Sequence, residues 1–368
     1  MNISDGRIFE PTRITGQKYG PKGLFTKNSF NARLPNNIKA ALATAANHNI
    51  SANTWKTYKS ALNQLEKCQE FYNRVFHFPM NKEDVLIYVA WLLYEKKLKA
   101  TTVEVYLSAL RQVHLSKGHV VKELRPDIVK TVLGGQKNID SLRKEESSNR
   151  LPVTLNMMKL IKIELNKIDG QKGFRQLVWA VVTLCFFGAF RIHELLAKQV
   201  TNFDPINTLL SEDFRIRTVR VGNEKVKMIT VKVKSPKESR CVNNKLIDVY
   251  ENNGPLCPVR ACEKWLKYAP PMKKGLPMFR MADGTPLTGR KLNSVLRKIF
   301  KPHIPAGKGY VSSHSFRAGI ASLMGSMGYG DEDIMAVGRW SSQCFERYIK
   351  LPRTKRLKMA REMGSWGL

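Results

Sequence analysis

The sequence is poor in acidic residues. Its 368 residues include 30 Asp and Glu against 62 Lys and Arg, which gives a formal net charge of +32 at pH 7. The basic excess is spread along the whole chain and is not confined to one tail. A folded protein with this excess repels itself unless a polyanion neutralises it. Nucleic acid is therefore the leading partner, and an anionic membrane is the alternative.

Long hydrophobic runs are also lacking. The longest extends from Leu177 to Phe190, between Arg175 and Arg191, and it is shorter than the roughly 20 apolar residues that a bilayer-spanning helix needs. The run predicts a buried core helix, and we expect no membrane partner. Residues 1–30 carry charged side chains and no apolar block, so they do not resemble a secretory signal. The protein is expected to stay inside a cell.

Cysteine is scarce and scattered. The six cysteines are Cys68, Cys185, Cys241, Cys257, Cys262 and Cys344. Without an export signal, reduced thiols are expected instead of disulfides. Cys257 and Cys262 lack the two-residue spacing of a zinc knuckle, and no second pair accompanies them. We therefore expect no metal site.

Turn residues and hydrophobic periodicity divide the chain. Residues 1–35 mix proline, glycine and basic side chains, which predicts an extended basic arm. Residues 36–145 have apolar positions at helical spacing in short blocks, and Asn81 is a helix start signal. The last of these helices is predicted to stop at Gly134 and Gly135. This pattern indicates a small all-helical domain.

A second domain follows a polar, charged segment that ends at Pro152. That segment predicts a linker and a boundary near residues 145–152. One helix is predicted behind Thr154, and the period then changes to alternation from Thr218 to Tyr250, which predicts a three-stranded antiparallel sheet. Helices return after Pro258, Thr288 and Ser313. The predicted fold class is mainly α with a small antiparallel β-sheet.

Arg191 stands at the end of the apolar run, in a stretch that we predict to be a buried helix. An unpaired buried guanidinium costs roughly several kcal/mol, so an anion must meet it. Glu194, three positions later, is one partner. The two residues are either a structural ion pair or a pocket arginine that Glu194 holds and directs at a phosphate.

His314 and Arg317 are predicted to share one face of a helix start. Ser312 and Ser313 are good capping residues, which puts the histidine and the arginine in the first helical turn. A helix start favours anions, so a phosphate would fit beside them. The simpler interpretation is an exposed surface pair.

Two further features are weak when taken alone. On the strand from Met228 to Lys234, alternation directs Lys232 and Lys234 away from the core, where lysines are usually only solvated. Near the end, Gly338 predicts a helix stop.

Trp340 follows that stop, and Ser341 or Ser342 is predicted to cap a short helix that carries Tyr348. The tyrosine is either a packing residue or a nucleophile.

In chain order, these residues form a set that is specific as a whole: Arg191 with Glu194, a hairpin lysine, His314 with Arg317, Trp340 and Tyr348. With this set, the chain resembles the tyrosine recombinase (phage integrase) family over about residues 36–350. The segments GAFRIHELL and GRWSSQCFERYI look most like recombinases of DIRS-type retrotransposons or crypton elements.

The sequence departs from the family pattern at two positions. Trp340 stands where many members have histidine, and VKVKSPKESR stands where a lysine is usually followed by Thr or Gly. Three hairpin lysines therefore remain open, with Lys234 preferred over Lys232 and Lys232 over Lys237.

The resemblance implies a helical core-binding domain at 36–145, an α+β catalytic domain at 146–350, and a basic tail or docking segment at 351–368. It also implies DNA cleavage and rejoining through a 3′-phosphotyrosine, without metal, ATP or another cofactor. Tyr348 is then the nucleophile.

The resemblance also assigns roles to the other residues of the set. Arg191, Arg317 and His314 would hold the phosphate, and His314 or water would take the phenol proton. Lys234 would protonate the leaving oxygen. Trp340 would pack or donate to the phosphate, and Glu194 would orient Arg191 or help a neighbouring base.

The implied partner is double-stranded DNA. A homo-tetramer would act on two sites, with a dimer on each site. A monomer is the alternative state in the absence of DNA. The implied location is the nucleus in a eukaryote, or the cytoplasm and nucleoid in a prokaryote.

Two other functions are compatible with the sequence. A type IB topoisomerase uses a similar tyrosine, arginine and lysine set to relax DNA as a monomer. A domesticated, catalytically silent DNA-binding protein is the second alternative. The presence of every catalytic residue type argues against a silent descendant, which would be free to lose any of them.

Overall fold

The computed structural model describes residues 23–30, 33–119, 127–142, 150–168, 171–234 and 245–340. The chain divides into two units, Met1–Glu145 and Glu146–Leu368. Helices dominate both units, and the second also contains one three-stranded antiparallel sheet. The predicted fold class is confirmed. Among the described helices, none has the length and apolar character that crossing a bilayer requires.

The first unit is helical. Its helices are α1 (Asn36–His48), α2 (Ala52–Phe71), α3 (Lys82–Ala90), α4 (Ala100–Ser116) and α5 (Asp127–Leu142). Asn81 caps α3 as predicted, because its side-chain oxygen accepts a hydrogen bond from the Asp84 amide at 2.8 Å. The core includes Leu62, Leu65 and Leu107, which are all buried.

The prediction that the last helix of this unit stops at Gly134 and Gly135 was wrong. Helix α5 runs through both glycines to Leu142. Each glycine costs a helix interior about 1 kcal/mol relative to alanine, but contacts beyond them hold the helix. Lys137 pairs with Glu104 of α4 at 2.7 Å, and tertiary packing outweighs the local propensity.

His114 is buried in the first unit and is held between two backbone groups. Its Nε2 accepts a hydrogen bond from the Met80 amide at 3.0 Å, and its Nδ1 lies 2.8 Å from the Leu110 carbonyl oxygen. The ring therefore carries its proton on Nδ1 and is neutral. Burial lowers the pKa of His114 from 6.5 to about 4.

Acid is expected to destabilise this unit through His114. Below pH 6.5 this histidine becomes protonated in the unfolded chain, whereas in the folded chain it stays neutral down to about pH 4. The free energy of unfolding should therefore fall by about 3 kcal/mol between pH 6.5 and 4. Urea unfolding of the full chain across this range, compared with His114→Gln, measures the effect. Equal pH slopes in the two proteins would contradict it.

The second unit surrounds one buried helix. Its helices are α6 (Leu155–Asn166), α7 (Lys172–Phe187), α8 (Ile192–Leu195), α9 (Pro258–Leu266), α10 (Gly289–Phe300), α11 (Ser315–Met327) and α12 (Asp331–Gly338). Every residue of α7 from Leu177 to Phe186 is buried, as the apolar run predicts. Helices α9 and α11 pack against α7.

Helix α11 approaches the chain just before α6 very closely. A Cβ added at Gly319 would lie 2.1 Å from the Val153 carbonyl oxygen. Only glycine allows this approach, which fixes the position of α11 in the second unit.

The sheet consists of β1 (Phe214–Val221), β2 (Glu224–Val233) and β3 (Lys245–Tyr250), in that order. Residues Ile229, Val231 and Val233 of the central strand are buried, which confirms the predicted core face. Strand β1 begins at Phe214 and not at Thr218 as predicted. The Phe214 ring packs edge-on against Phe279 at 5.9 Å, a tertiary contact that extends the strand.

Candidate active site

The site forms where the chain leaves α7. Arg191 was predicted to lie within a buried helix, and this was wrong. Helix α7 ends at Phe187, and Arg191 is the N-cap residue of the short helix α8. Ala189, between them, has a left-handed backbone with φ of 46°, which turns the chain sharply and is unfavourable for a residue with a Cβ. The Arg191 side chain is 11% exposed.

Glu194 binds Arg191 at two points. The Glu194 Oε1 atom lies 3.1 Å from Arg191 Nη1, and Oε2 accepts a hydrogen bond from the Arg191 amide at 2.8 Å. The carboxylate is thus an N-terminal cap of α8 and an ion-pair partner at once. The structure brings together the two residues that the sequence paired.

Arg317 lies in the first turn of α11. Its side chain extends to the backbone turn between α7 and α8. It donates hydrogen bonds to the carbonyl oxygens of Ala189 and Gly338, the latter at 2.6 Å. The side chain is buried, so its charge is desolvated and held by fixed backbone dipoles. The residue before this helix is His314 and not a serine cap. Instead, the Ser315 hydroxyl accepts from the Ser312 amide at 3.0 Å.

Trp340 covers Arg317. The guanidinium carbon lies 4.8 Å from the centre of a Trp340 ring, a cation–π contact that the sequence did not predict. The indole also packs tightly on the end of α12. A Cβ added at Gly338 would lie 1.7 Å from a Trp340 ring atom, so only glycine permits this arrangement.

Gly338→Ala is therefore expected to displace the indole and to destabilise the second unit by about 1–3 kcal/mol. Urea unfolding measures the loss. Gly254→Ala is the matched control, because a Cβ there meets its nearest neighbour at an ordinary 3.4 Å. Equal stability of the two variants would contradict the packing argument.

Arg339 is a site residue that the sequence analysis missed. Its Nη2 lies 2.9 Å from Glu194 Oε2, and it donates to the carbonyl oxygens of Gly188 at 2.8 Å and Ala189 at 3.1 Å. It ends α12 with a left-handed backbone, φ 55°. The only signal in the sequence was its position between Gly338 and Trp340, two residues that had been singled out.

His314 lies at the exposed rim of this cluster. Burial of part of its ring lowers its pKa below 6.5, and the charges of Arg150, His193, Arg317 and Arg191 lower it further. The imidazole is therefore mostly neutral at pH 7 and can accept a proton. Arg150 and His193 are two further neighbours that sequence reasoning missed. His193 had a signal, since it stands between Arg191 and Glu194.

Lys234 follows β2 and is held by an ion pair. Its Nζ lies 2.6 Å from Asp213 Oδ2 and donates to the Pro205 carbonyl oxygen at 3.2 Å. The arginines of the site are not among its contacts within the described residues. Lys232 lies on the same face of β2, opposite Leu246. The third alternative, Lys237, lies outside the described residues.

Tyr348 also lies outside the described residues, as do Ser341 and Ser342. Its role as nucleophile stays a prediction. The described part of the site nevertheless has a clear arrangement of charged groups. Arg191 and Arg339 pair with the buried carboxylate of Glu194. Arg317 shares the Ala189 carbonyl oxygen with Arg339, and a neutral imidazole lies at the rim. Such a cluster suits an oxyanion with several oxygens, above all a phosphodiester.

Comparison with solved structures identifies the fold. The chain is similar to the XerH site-specific recombinase bound to palindromic difH substrate in a post-cleavage complex, with 15% identity, a TM-score of 0.54, and coverage of 90% of this chain and 85% of that one. It is also similar to the Tn1549 transposon integrase in complex with transposon right end DNA, with 16% identity, a TM-score of 0.56, and coverage of 88% and 98%.

A third similar structure is a λ integrase dimer bound to a COC′ core site, with 12% identity, a TM-score of 0.51, and coverage of 83% of this chain and 73% of that chain. The fold is therefore that of the tyrosine recombinases and integrases, as the resemblance predicted. No protein-family model matches the sequence. No curated protein sequence matches it either.

Proposed function

We propose that this protein is a site-specific DNA recombinase or integrase that cleaves and rejoins DNA through a 3′-phosphotyrosine. The observation that carries the proposal is the convergence of Arg191 and Arg317 on one backbone turn, with His314 beside them. The two arginines are more than 120 positions apart in the sequence, and the hydrogen bond from Arg317 to the Ala189 carbonyl oxygen joins their segments. A structural ion pair needs only Arg191 and Glu194, so the extra cations need another explanation, which an anionic ligand supplies.

The reaction can be written with these groups. The phenol oxygen of Tyr348 attacks the phosphorus, the bond from phosphorus to the 5′ oxygen breaks, and the tyrosine becomes linked to the 3′ phosphate. An ordinary tyrosine phenol has a pKa near 10, so the proton must leave during the attack, and neutral His314 is the acceptor. Arg191 and Arg317 stabilise the negative charge on the non-bridging oxygens.

The intermediate keeps the free energy of the broken phosphodiester. A 5′ hydroxyl from another strand can therefore reverse the attack without ATP, and rejoining to a new partner is recombination. Exchange between two duplexes needs four cuts, which supports a homo-tetramer with a dimer on each site. The segments GAFRIHELL and GRWSSQCFERYI support a source in a DIRS-type or crypton mobile element. A eukaryotic source of this kind would place the protein in the nucleus, and a prokaryotic source would place it in the cytoplasm and nucleoid.

Covalent trapping tests the proposal without knowledge of the target site. The protein is mixed with a nicked random duplex library, denatured and purified, and the attached DNA is sequenced while the modified residue is mapped. We expect a phosphotyrosyl adduct on one preferred sequence. Absence of any adduct would refute the proposal. Relaxation of supercoiled plasmid without exchange between two copies of the recovered site would indicate a topoisomerase instead.

Lys234 is expected to act as the general acid on the leaving oxygen, for which its ion pair with Asp213 must open. Lys234→Met should slow cleavage of ordinary DNA about 100-fold. It should barely affect a substrate with sulfur in place of the leaving 5′ oxygen, because a thiolate leaves without a proton. Single-turnover rates on both substrates test this, with Lys232→Met as the matched variant. If the sulfur-containing substrate restores the cleavage rate in Lys232→Met and not in Lys234→Met, Lys232 is the general acid instead.

A further inference from the structure

We infer that Arg339 is a positioning residue for the cleavage reaction, acting on Arg191 through Glu194 and on Arg317 through the Ala189 carbonyl group. The inference rests on the proposed function and deepens it. It adds a third arginine to the site, with a role different from that of the two arginines proposed to bind phosphate.

The first step concerns Glu194. Its side chain is 2% exposed, and its hydrogen-bond donors are the Arg191 amide, Arg191 Nη1 and Arg339 Nη2. A buried carboxylate with one arginine would form a closed neutral pair. Arg339 supplies the second positive charge, so the triad of Arg191, Glu194 and Arg339 remains cationic. Arg191 can then interact with a phosphate while Glu194 stays neutralised.

The second step concerns the carbonyl group of Ala189. It accepts hydrogen bonds from Arg317 and, at 3.1 Å, from Arg339. Arg317 also bonds the carbonyl oxygen of Gly338, the residue before Arg339. The α7 turn, the start of α11 and the end of α12 are thus joined through two guanidinium groups. A displacement of one arginine must disturb the other.

The third step concerns the backbone. Arg339 has φ 55° and Ala189 has φ 46°, and this left-handed backbone is unfavourable for a residue with a Cβ. Such conformations persist where the surrounding contacts over-determine them. The Arg339 side chain is 8% exposed, and its guanidinium lies 5.0 Å from the Phe190 ring centre. The contacts therefore hold Arg339 in one orientation.

The test uses two exchanges at position 339 in the full-length protein. Arg339→Asn removes the guanidinium but keeps a residue that accepts the left-handed backbone. We expect the single-turnover rate of adduct formation at saturating DNA to fall about 100-fold, as for a misplaced catalytic group, with DNA affinity unchanged. Arg339→Lys keeps the charge and should recover part of the rate. Arg220→Asn, an exposed arginine on β1, is the control and should react normally.

A double variant separates positioning from simple folding support. If Arg339 acts through Glu194, then Arg339→Asn combined with Glu194→Gln should be no slower than Arg339→Asn alone, since no buried charge is left to pull on Arg191. If the rate losses of the two single variants multiply in the double variant, the inference that Arg339 acts through Glu194 is overturned. A normal rate at saturating DNA in Arg339→Asn or, should that variant not fold, in Arg339→Lys would overturn it as well. Absence of an adduct in the unmodified protein would refute the proposed function instead.

Discussion

Replacing Tyr348 with phenylalanine is expected to abolish covalent attachment to DNA. One phenol oxygen is lost, and no other group can form the same bond to phosphorus from that position. DNA affinity should be nearly unchanged, because the net charge of +32 is untouched and backbone contacts by Lys and Arg supply most of the affinity. Denaturing gels of protein with nicked duplex, together with binding measurements at one fixed salt concentration, test both parts.

Tyr329→Phe is the matched control for this experiment. Tyr329 is exposed and lies near the same end of the chain, so the same atom is removed from a different position. The control should form adduct at the normal rate. An adduct that survives Tyr348→Phe would move the nucleophile to another residue, and loss of binding together with attachment would point to a structural role for Tyr348.

The second large effect is expected for Arg317→Lys. Lysine keeps the positive charge but loses the forked donors that span the Ala189 and Gly338 carbonyl oxygens and stack on Trp340. Loss of one preorganised donor to a developing charge costs about 100-fold to 1,000-fold in rate. We expect a loss at the upper end, because the remaining ammonium cannot hold both the turn and the phosphate.

The measurement is the single-turnover cleavage rate, with DNA affinity and unfolding recorded in parallel. Arg297→Lys is the control, since Arg297 is an exposed arginine of α10. A cleavage rate within threefold of the unmodified protein would show that the fork of Arg317 is not used in the reaction, and the proposed phosphate site would then lose its central residue.

Local signals predicted much of the fold. Asn81 and Thr154 start helices as predicted because each side chain accepts a hydrogen bond from an amide three residues later, a short-range interaction. The alternation in β2 gave the buried face of the sheet for the same local reason. Helix α5 was one exception, since its continuation past Gly134 depends on contacts with another helix.

The candidate site was only partly predictable. Residue types and their order gave Arg191, Glu194, His314, Arg317 and Trp340, and the structure brings these five together. Arg150 carries no local signal, and Arg339 carries only its position between Gly338 and Trp340, because an arginine in a basic chain is unremarkable until its neighbours are known. The ion pair of Lys234 with Asp213 joins the end of β2 to the 3-10 helical turn before β1, a contact that periodicity does not encode.

By itself, the sequence determined the chemical inventory: an excess of fixed cations, one buried apolar helix, a small sheet, and a tyrosine near the end of the chain. Only the tertiary structure decided which cations share one site and which is neutralised. The reason is physical: helix caps and strand alternation arise from atoms a few residues apart. The charge state and orientation of a buried guanidinium depend on the carboxylates and carbonyl groups that folding brings to it from distant segments.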